Sequence, residues 1–153
     1  MSVLSAQTIR RLGLLSPCAE RGVAGGMSFG LAQCGYDLRL AQWIEILPRE
    51  FELASTVEYF NVPNDIVGII HDKSSLARRG LAVQNTVCEP GWRGWLTLEL
   101  TNHGMERIQL EAGWPIAQVI FHRLDEATEA PYSGKYQDQG SEPQARLDET
   151  GKP

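Results

Sequence analysis

Apolar residues recur at every second position in several short stretches, and turn residues separate those stretches. Leu96, Leu98 and Leu100 alternate with Thr97 and Glu99. This predicts a strand with the leucines on one face and the polar pair on the other. Residues 36–40 alternate likewise, and residues 51–59 read as a strand that stops before Asn61-Val62-Pro63-Asn64-Asp65, a strong turn signal. Residues 66–70 form a β-branched apolar run, and Ile108 with Leu110 opens a further strand. Glu111-Ala112-Gly113-Trp114-Pro115 then turns the chain into residues 116–121, a candidate buried strand. Short strands at this spacing predict an all-β barrel or sandwich. Ahead of them, residues 5–15 predict one short helix, with Ser5 as N-cap and Ile9, Leu12 and Leu15 on one face. Residues 22–35, rich in glycine, read as a loop.

Beyond Leu124 the pattern turns polar. Residues 1–139 are expected to form one domain and residues 140–153 a mobile polar tail. Tyr132-Ser133-Gly134-Lys135-Tyr136-Gln137-Asp138-Gln139 mixes aromatic, cationic and amide groups, which can order around a ligand. Composition alone favours an ordinary frayed terminus for it.

A length of 153 residues fits a single domain, and 15 Gly with 8 Pro favour a turn-rich fold over a helical bundle. A net charge of -5 argues against a protein built to hold a nucleic-acid backbone. An anionic small molecule would need a local basic pocket, which Lys73, Arg78 and Arg79 offer. Cys18, Cys34 and Cys88 are too few and too scattered for a disulfide framework. The first residues carry no signal-peptide pattern and no apolar run approaches membrane-spanning length, so a cytoplasmic setting is expected.

Lys73-Ser74-Ser75-Leu76-Ala77-Arg78 places two cations around two hydroxyls, a combination suited to phosphate oxygens. The same residues also fit a solvated turn. Glu89-Pro90-Gly91-Trp92 and Thr97-Leu98-Glu99 follow within a short distance. Glu99 reads in two ways: an exposed strand residue, the commonest fate of a Glu, or a proton shuttle whose pKa rises in a cleft or subunit interface. His71, His103 and His122 are dispersed, and the H-x-E and P-C-x-x-C signature of zinc nucleobase deaminases is absent.

Taken in order, these residues resemble the dCTP deaminases, relatives of the trimeric dUTPases. The resemblance runs from Gly35 to about Arg146. It rests on Gly35-Tyr36-Asp37-Leu38-Arg39, Thr56-Val57-Glu58-Tyr59-Phe60, the two central motifs, Ile116-Ala117-Gln118 and Gly134-Lys135-Tyr136-Gln137-Asp138-Gln139. It implies a β-clip fold, a distorted antiparallel β-barrel assembled as a homotrimer with active sites between subunits. The implied reaction is hydrolytic deamination of dCTP to dUTP and ammonia, with Mg²⁺ carried by the triphosphate and no zinc. By position, Glu99 matches the catalytic carboxylate, and Ser74 and Arg78 match residues that assist it. Lys73, Ser74, Ser75, Leu76, Ala77 and Arg78 match the nucleotide-binding loop, with Thr97 and Leu98 beside the base. Gln118, Tyr132, Lys135 and Gln139 match nucleotide contacts, the last three on a closing segment at residues 132–139. The implied role for Arg78 includes keeping Glu99 ionised by proximity.

The chain departs from longer relatives between Arg39 and Ala54, where it is shorter, and across residues 81–88, where it is compact. That leaves three rivals open. They are a bifunctional enzyme forming dUMP from dCTP, a dUTP pyrophosphatase, and a non-catalytic nucleotide-binding regulator. Glu89-Pro90-Gly91-Trp92 stands where dUTPases usually carry an Asp and a Tyr, and Glu99 where they are apolar, which favours the deaminase.

Overall fold

The computed structural model of the protein describes residues 2–146. In chain order its elements are β1 (Ser2–Val3), α1 (Ala6–Leu12), β2 (Leu15–Ser16), β3 (Gly22–Ala24), β4 (Met27–Leu31), β5 (Tyr36–Arg39), β6 (Ile44–Ile46), β7 (Phe51–Asn61), β8 (Ile66–Asp72), α2 (Ser74–Ala77), β9 (Leu81–Val83), β10 (Val87–Cys88), β11 (Arg93–Asn102), β12 (Ile108–Leu110) and β13 (Pro115–Arg123). One sheet runs β10-β8-β13-β5-β4-β3, with β1 also on β13. A second runs β2-β7-β11-β9, and β12 pairs with β6. Every pairing between these strands is antiparallel. The architecture is the expected all-β, distorted antiparallel barrel.

The two larger sheets share one core. Leu38, Val119 and Phe121 from the first meet Phe60, Leu98 and Leu100 from the second, all fully buried. The Phe60 ring lies 5.6 Å from Trp92 and 6.3 Å from Phe121, centroid to centroid. Burying one such side chain contributes about 1.5–3 kcal/mol.

Two motifs of the sequence turn out to hold each other. Glu58, completely buried, accepts hydrogen bonds from Arg39 Nε at 2.7 Å, the Arg39 backbone N–H at 2.9 Å and Tyr36 Oη at 3.1 Å. This ties β5 to β7 across sheets. Burial pushes the Tyr36 hydroxyl far above its ordinary pKa, with the neighbouring Glu58 charge adding to the effect.

The structure corrects three local expectations and adds four short strands. The helix ends at Leu12 because Gly13 takes the left-handed conformation (φ 63°), and Leu14 and Leu15 turn into the core instead. Residues 22–35 are not a loop: β3 and β4 form a hairpin, and Gly25-Gly26, both at positive φ, make its two-residue turn. The short strands β1, β6, β9 and β10 carry too few residues to show alternation. Leu96 leaves the leucine face because the β7–β11 register shifts between Trp95 and Thr97.

Candidate active site

β11 carries the site. Leu98 and Leu100 anchor its inner face in the core, which turns Thr97 and Glu99 to the other side. There they line a cavity of about 300 Å³, at the lower end for a small-molecule site. The register shift brings Leu96 to the same wall. Opposite stand residues 85–89, Ile70, and Trp92 at the end of the Glu89-Pro90-Gly91-Trp92 motif.

Tyr132, Tyr136, Gln139 and Gln144 complete the lining from the C-terminal segment. That segment is docked along its length. Tyr132 N–H donates to Pro90 O (2.8 Å), Trp92 Nε1–H to Tyr136 O (2.7 Å), and Gln137 Nε2–H to Gly91 O (2.8 Å). Trp95 N–H donates to Gln139 O (3.1 Å), and buried Gln139 donates Nε2–H to Trp95 O (2.9 Å) and Thr97 Oγ1 (2.5 Å). An Arg93–Asp138 ion pair clips the outside. Pro90, Gly91 and Trp92 of the Glu89-Pro90-Gly91-Trp92 motif are thus a dock for residues 132–139. Past Gly140, Gln144 N–H donates to Thr97 Oγ1 (3.1 Å), and Arg146 N–H donates to Tyr136 Oη (3.1 Å). Residues 147–153 of the expected tail lie outside the described residues.

Gly94 makes the dock possible. A Cβ there would sit 2.9 Å from Gln139 N and 3.0 Å from Gln139 O, at φ 148°. Gly94→Ala should lift the segment off β11 at a cost of about 1–3 kcal/mol. The expected result is faster tryptic cleavage after Lys135, with global stability lowered by no more than that cost.

The Glu99 carboxylate has no hydrogen bond or ion pair among the described residues, and burial raises its pKa above the ordinary value. A carboxyl raised on folding keeps its proton to higher pH in the folded chain than in the unfolded one. The stability it confers is full below the ordinary carboxylate range and is lost as pH rises through the raised value. Glu99→Gln removes that loss. The variant's urea midpoint should gain on wild type as pH rises above the ordinary carboxylate range, with no gain at the acid end.

The other expected site residues fall elsewhere on the protomer. Ser74, Ser75 and Arg78 are exposed on and beside α2, Leu76 is packed in the core, and Ala77 is half-buried; none of them lines the cavity. Lys73 donates Nζ–H to Asp37 Oδ2 at 2.6 Å and to Ser28 Oγ at 3.1 Å, so its charge is engaged inside the protomer. Leu98 is fully buried, which leaves only its backbone to a ligand. Gln118 sits half-buried on β13 opposite Asp37 and His71, outside the cavity. Lys135 Nζ lies 5.4 Å from the centre of the Tyr136 ring. Arg78 does not face Glu99 within one chain. Asn85 and Gln144, which no motif contained, are also brought to the cavity, as is Tyr136 of the closing segment; the compactness of residues 81–88 was the sole signal for Asn85.

Gly26-Met27-Ser28-Phe29-Gly30 has the spacing of a nucleophile elbow. It lies in a hairpin rather than at a strand-to-helix turn, and Ser28 neighbours the ion-paired Lys73 instead of a histidine. Among the described residues, no three or more His, Cys, Asp or Glu side chains are grouped to hold a metal. No helix there is long and apolar enough to cross a membrane.

Residues 38–124 match the family model described as dCTP deaminase-like. A dCTP deaminase of Ectopseudomonas mendocina is 33% identical over 180 aligned positions, covering 91% of this chain and 96% of that one. An alignment longer than the 153-residue chain means that this relative carries segments the chain lacks. Among solved structures, the native dUTPase of EIAV superposes with TM-score 0.55 at 27% identity, covering 65% of this chain and 82% of that one. A 2'-deoxycytidine 5'-triphosphate deaminase from Agrobacterium tumefaciens superposes with TM-score 0.65 at 18% identity, covering 79% of this chain and 48% of that one, a likeness of fold. The matched span contains both central motifs, the cavity strand and Glu99, and on that evidence the chain belongs to the dCTP deaminase-like family.

Proposed function

We propose that the protein deaminates dCTP to dUTP and ammonia, with Glu99 as the proton shuttle. The observation that carries this reading is a half-buried carboxylate without a partner, on the wall of a cavity, in a chain of this family. Ionised Glu99 takes a proton from a water as its oxygen bonds to C4 of cytosine. The carboxyl then delivers that proton to N3. A second proton, from the new C4 hydroxyl, passes through Glu99 to the amine, which leaves as ammonia while C4=O forms. The water thus reappears as the uracil O4, the N3 hydrogen and one of the three ammonia hydrogens.

The protomer alone keeps Ser74 and Arg78 away from this cavity. A homotrimer that seats α2 of one copy against the Glu99 cavity of the next would bring them together. Ser74 would then help hold the water, and Arg78 would favour the ionised form of Glu99 against the effect of burial. Ser75 and the α2 backbone would meet the phosphates. Lys73 serves this loop by anchoring it to Asp37. Gln118 and Lys135 take the nucleotide from flanking positions, and Tyr132 and Gln139 close the cavity over it. Mg²⁺ enters as part of the substrate, bound to the triphosphate, and no side chain described here is assigned to it.

A phosphate-cleaving activity is the second reading, favoured by the 27% identity to a dUTPase. Incubation with dCTP, dUTP, CTP and dCMP plus Mg²⁺, with ammonia, dUTP, dUMP and pyrophosphate resolved, separates the two. Ammonia and dUTP in equal amounts from dCTP are expected. Pyrophosphate from dCTP together with ammonia indicates the dUMP-forming enzyme. Pyrophosphate from dUTP without ammonia from dCTP would overturn the deaminase reading.

A further inference from the structure

The strand that flanks Glu99 ends early, and a side chain takes its place. β9 pairs with β11 only at Leu81↔Asn102, Ala82↔Thr101 and Val83↔Leu100. One more backbone bond follows, from Gln84 N–H to Glu99 O at 2.8 Å. After it the backbone peels away to become the cavity wall, residues 85–89. The next two polar groups on that edge of β11 are the Glu99 N–H and the Thr97 carbonyl, and a departing strand would leave both without ladder partners. Asn85 supplies them. Its Oδ1 accepts the Glu99 N–H at 2.9 Å, and its Nδ2–H donates to Thr97 O at 2.7 Å.

This arrangement fixes the amide in one orientation. A carbonyl must meet the Glu99 N–H and an amine the Thr97 carbonyl; the flipped amide would oppose like to like at both ends. Thr101 Oγ1–H to Gln84 Oε1 at 2.6 Å holds the residue before it. The side chain therefore does what a strand residue would do, while the backbone is released to open a cavity beside Glu99. Among the described residues, Asn85 is the one wall residue whose side chain bonds the Glu99 backbone.

We propose that Asn85 is a positioning residue. It clamps the wall of residues 85–89 to β11 at Glu99 and so sets the distance between the carboxylate and a base lying against that wall. Its effect on turnover rests on the deaminase reading above. The clamp itself does not. A shift of about 1 Å in a catalytic group can lower turnover by about 10²-fold. Asn85→Ala should therefore lower kcat for dCTP by about 10–100-fold, with a smaller change in KM.

Asn85→Asp makes the sharper test. When protonated, the introduced carboxyl donates to Thr97 O and accepts from Glu99 N–H, as the amide does. When ionised, it faces a carbonyl oxygen and adds a negative charge next to Glu99. The variant should keep a substantial part of wild-type kcat at acid pH and lose it as pH rises, a new alkaline limb that neither wild type nor Asn85→Ala shows.

Three measurements on the full-length wild type and both variants decide the matter: kcat and KM for dCTP against pH, thermal midpoint, and amide hydrogen exchange at Glu99. Faster exchange of the Glu99 N–H in Asn85→Ala, with other β11 amides little changed, is expected whether or not dCTP is the substrate. Wild-type exchange at Glu99 in Asn85→Ala would overturn the clamp. If wild type releases ammonia, a kcat for folded Asn85→Ala within about threefold of wild type, or superimposable pH profiles for wild type and Asn85→Asp, would overturn the positioning role. If wild type releases no ammonia while the exchange result holds, the deaminase reading fails, the proposed effect on turnover fails with it, and the clamp stands.

Discussion

Glu99→Gln should reduce ammonia release from dCTP by about 10²–10⁴-fold, the range for losing a positioned general acid–base group. The substitution keeps size and leaves the backbone pairing of β11 intact, since the Glu99 N–H and C=O bond Asn85 and Gln84 through main-chain atoms. What it removes is proton transfer. The amide cannot take a proton from water, nor return one to N3 or the amine. Binding of dCTP, measured by calorimetry on the inactive variant, should stay close to the wild-type value. A loss in binding that matched the loss in rate would place Glu99 among the groups that hold substrate uniformly, and the shuttle would be wrong.

The largest effect on folding is expected away from the site, at Glu58. Its carboxylate is completely buried and receives three donors from β5. Glu58→Ala leaves the Arg39 guanidinium, itself only 19% exposed, without its counter-charge, and strips Tyr36 Oη and the Arg39 N–H of an acceptor. Breaking a buried pair by removing one partner costs about 3–5 kcal/mol. Arg10–Glu20 provides the contrast: bidentate at 2.7 Å, yet 51% and 69% exposed, so that Glu20→Ala should cost about 0–1 kcal/mol. Urea denaturation of the two variants checks the pair, and a Glu58→Ala midpoint as close to wild type as that of Glu20→Ala would contradict the role given to Glu58.

Alternation was a sound guide wherever a strand was long enough to repeat. β5 and β11 were legible by alternation, because each has one face in the core and a face has a period of two, while β8 and β13 were legible as apolar runs. Of the strands of two or three residues only β12 was legible, from Ile108 and Leu110 flanking Gln109; β9 and β10 exist through their partners, β11 and β8. Glycine content misled at residues 22–35, since Gly25-Gly26 is the turn of a hairpin and not the mark of an irregular stretch. The carboxylate of the site was legible for the same reason as its strand: Leu98 and Leu100 fix the inner face, and Glu99 is left opposite. Lys73 was not. Its charge is answered by Asp37, 36 positions earlier on β5, and nothing local in Lys73-Ser74-Ser75 announces that partner. Asn85 was still less visible, because its role follows from where β9 stops. The distance of α2 from the Glu99 cavity is a property of the single chain and depends on assembly, which a sequence pattern does not encode.

Mixing two inactive variants tests most directly the claim that Glu99 works with Ser74 and Arg78 of a neighbouring copy. Glu99→Gln and Arg78→Ala are denatured together in equal amounts and refolded, and ammonia release from dCTP is measured. With each site drawing Glu99 from one subunit and Arg78 from the next, random trimers rebuild about a quarter of the sites, and about a quarter of wild-type activity should return. A mixture no more active than its two parents, under conditions where wild type refolds to full activity, would contradict a site built between subunits around Glu99.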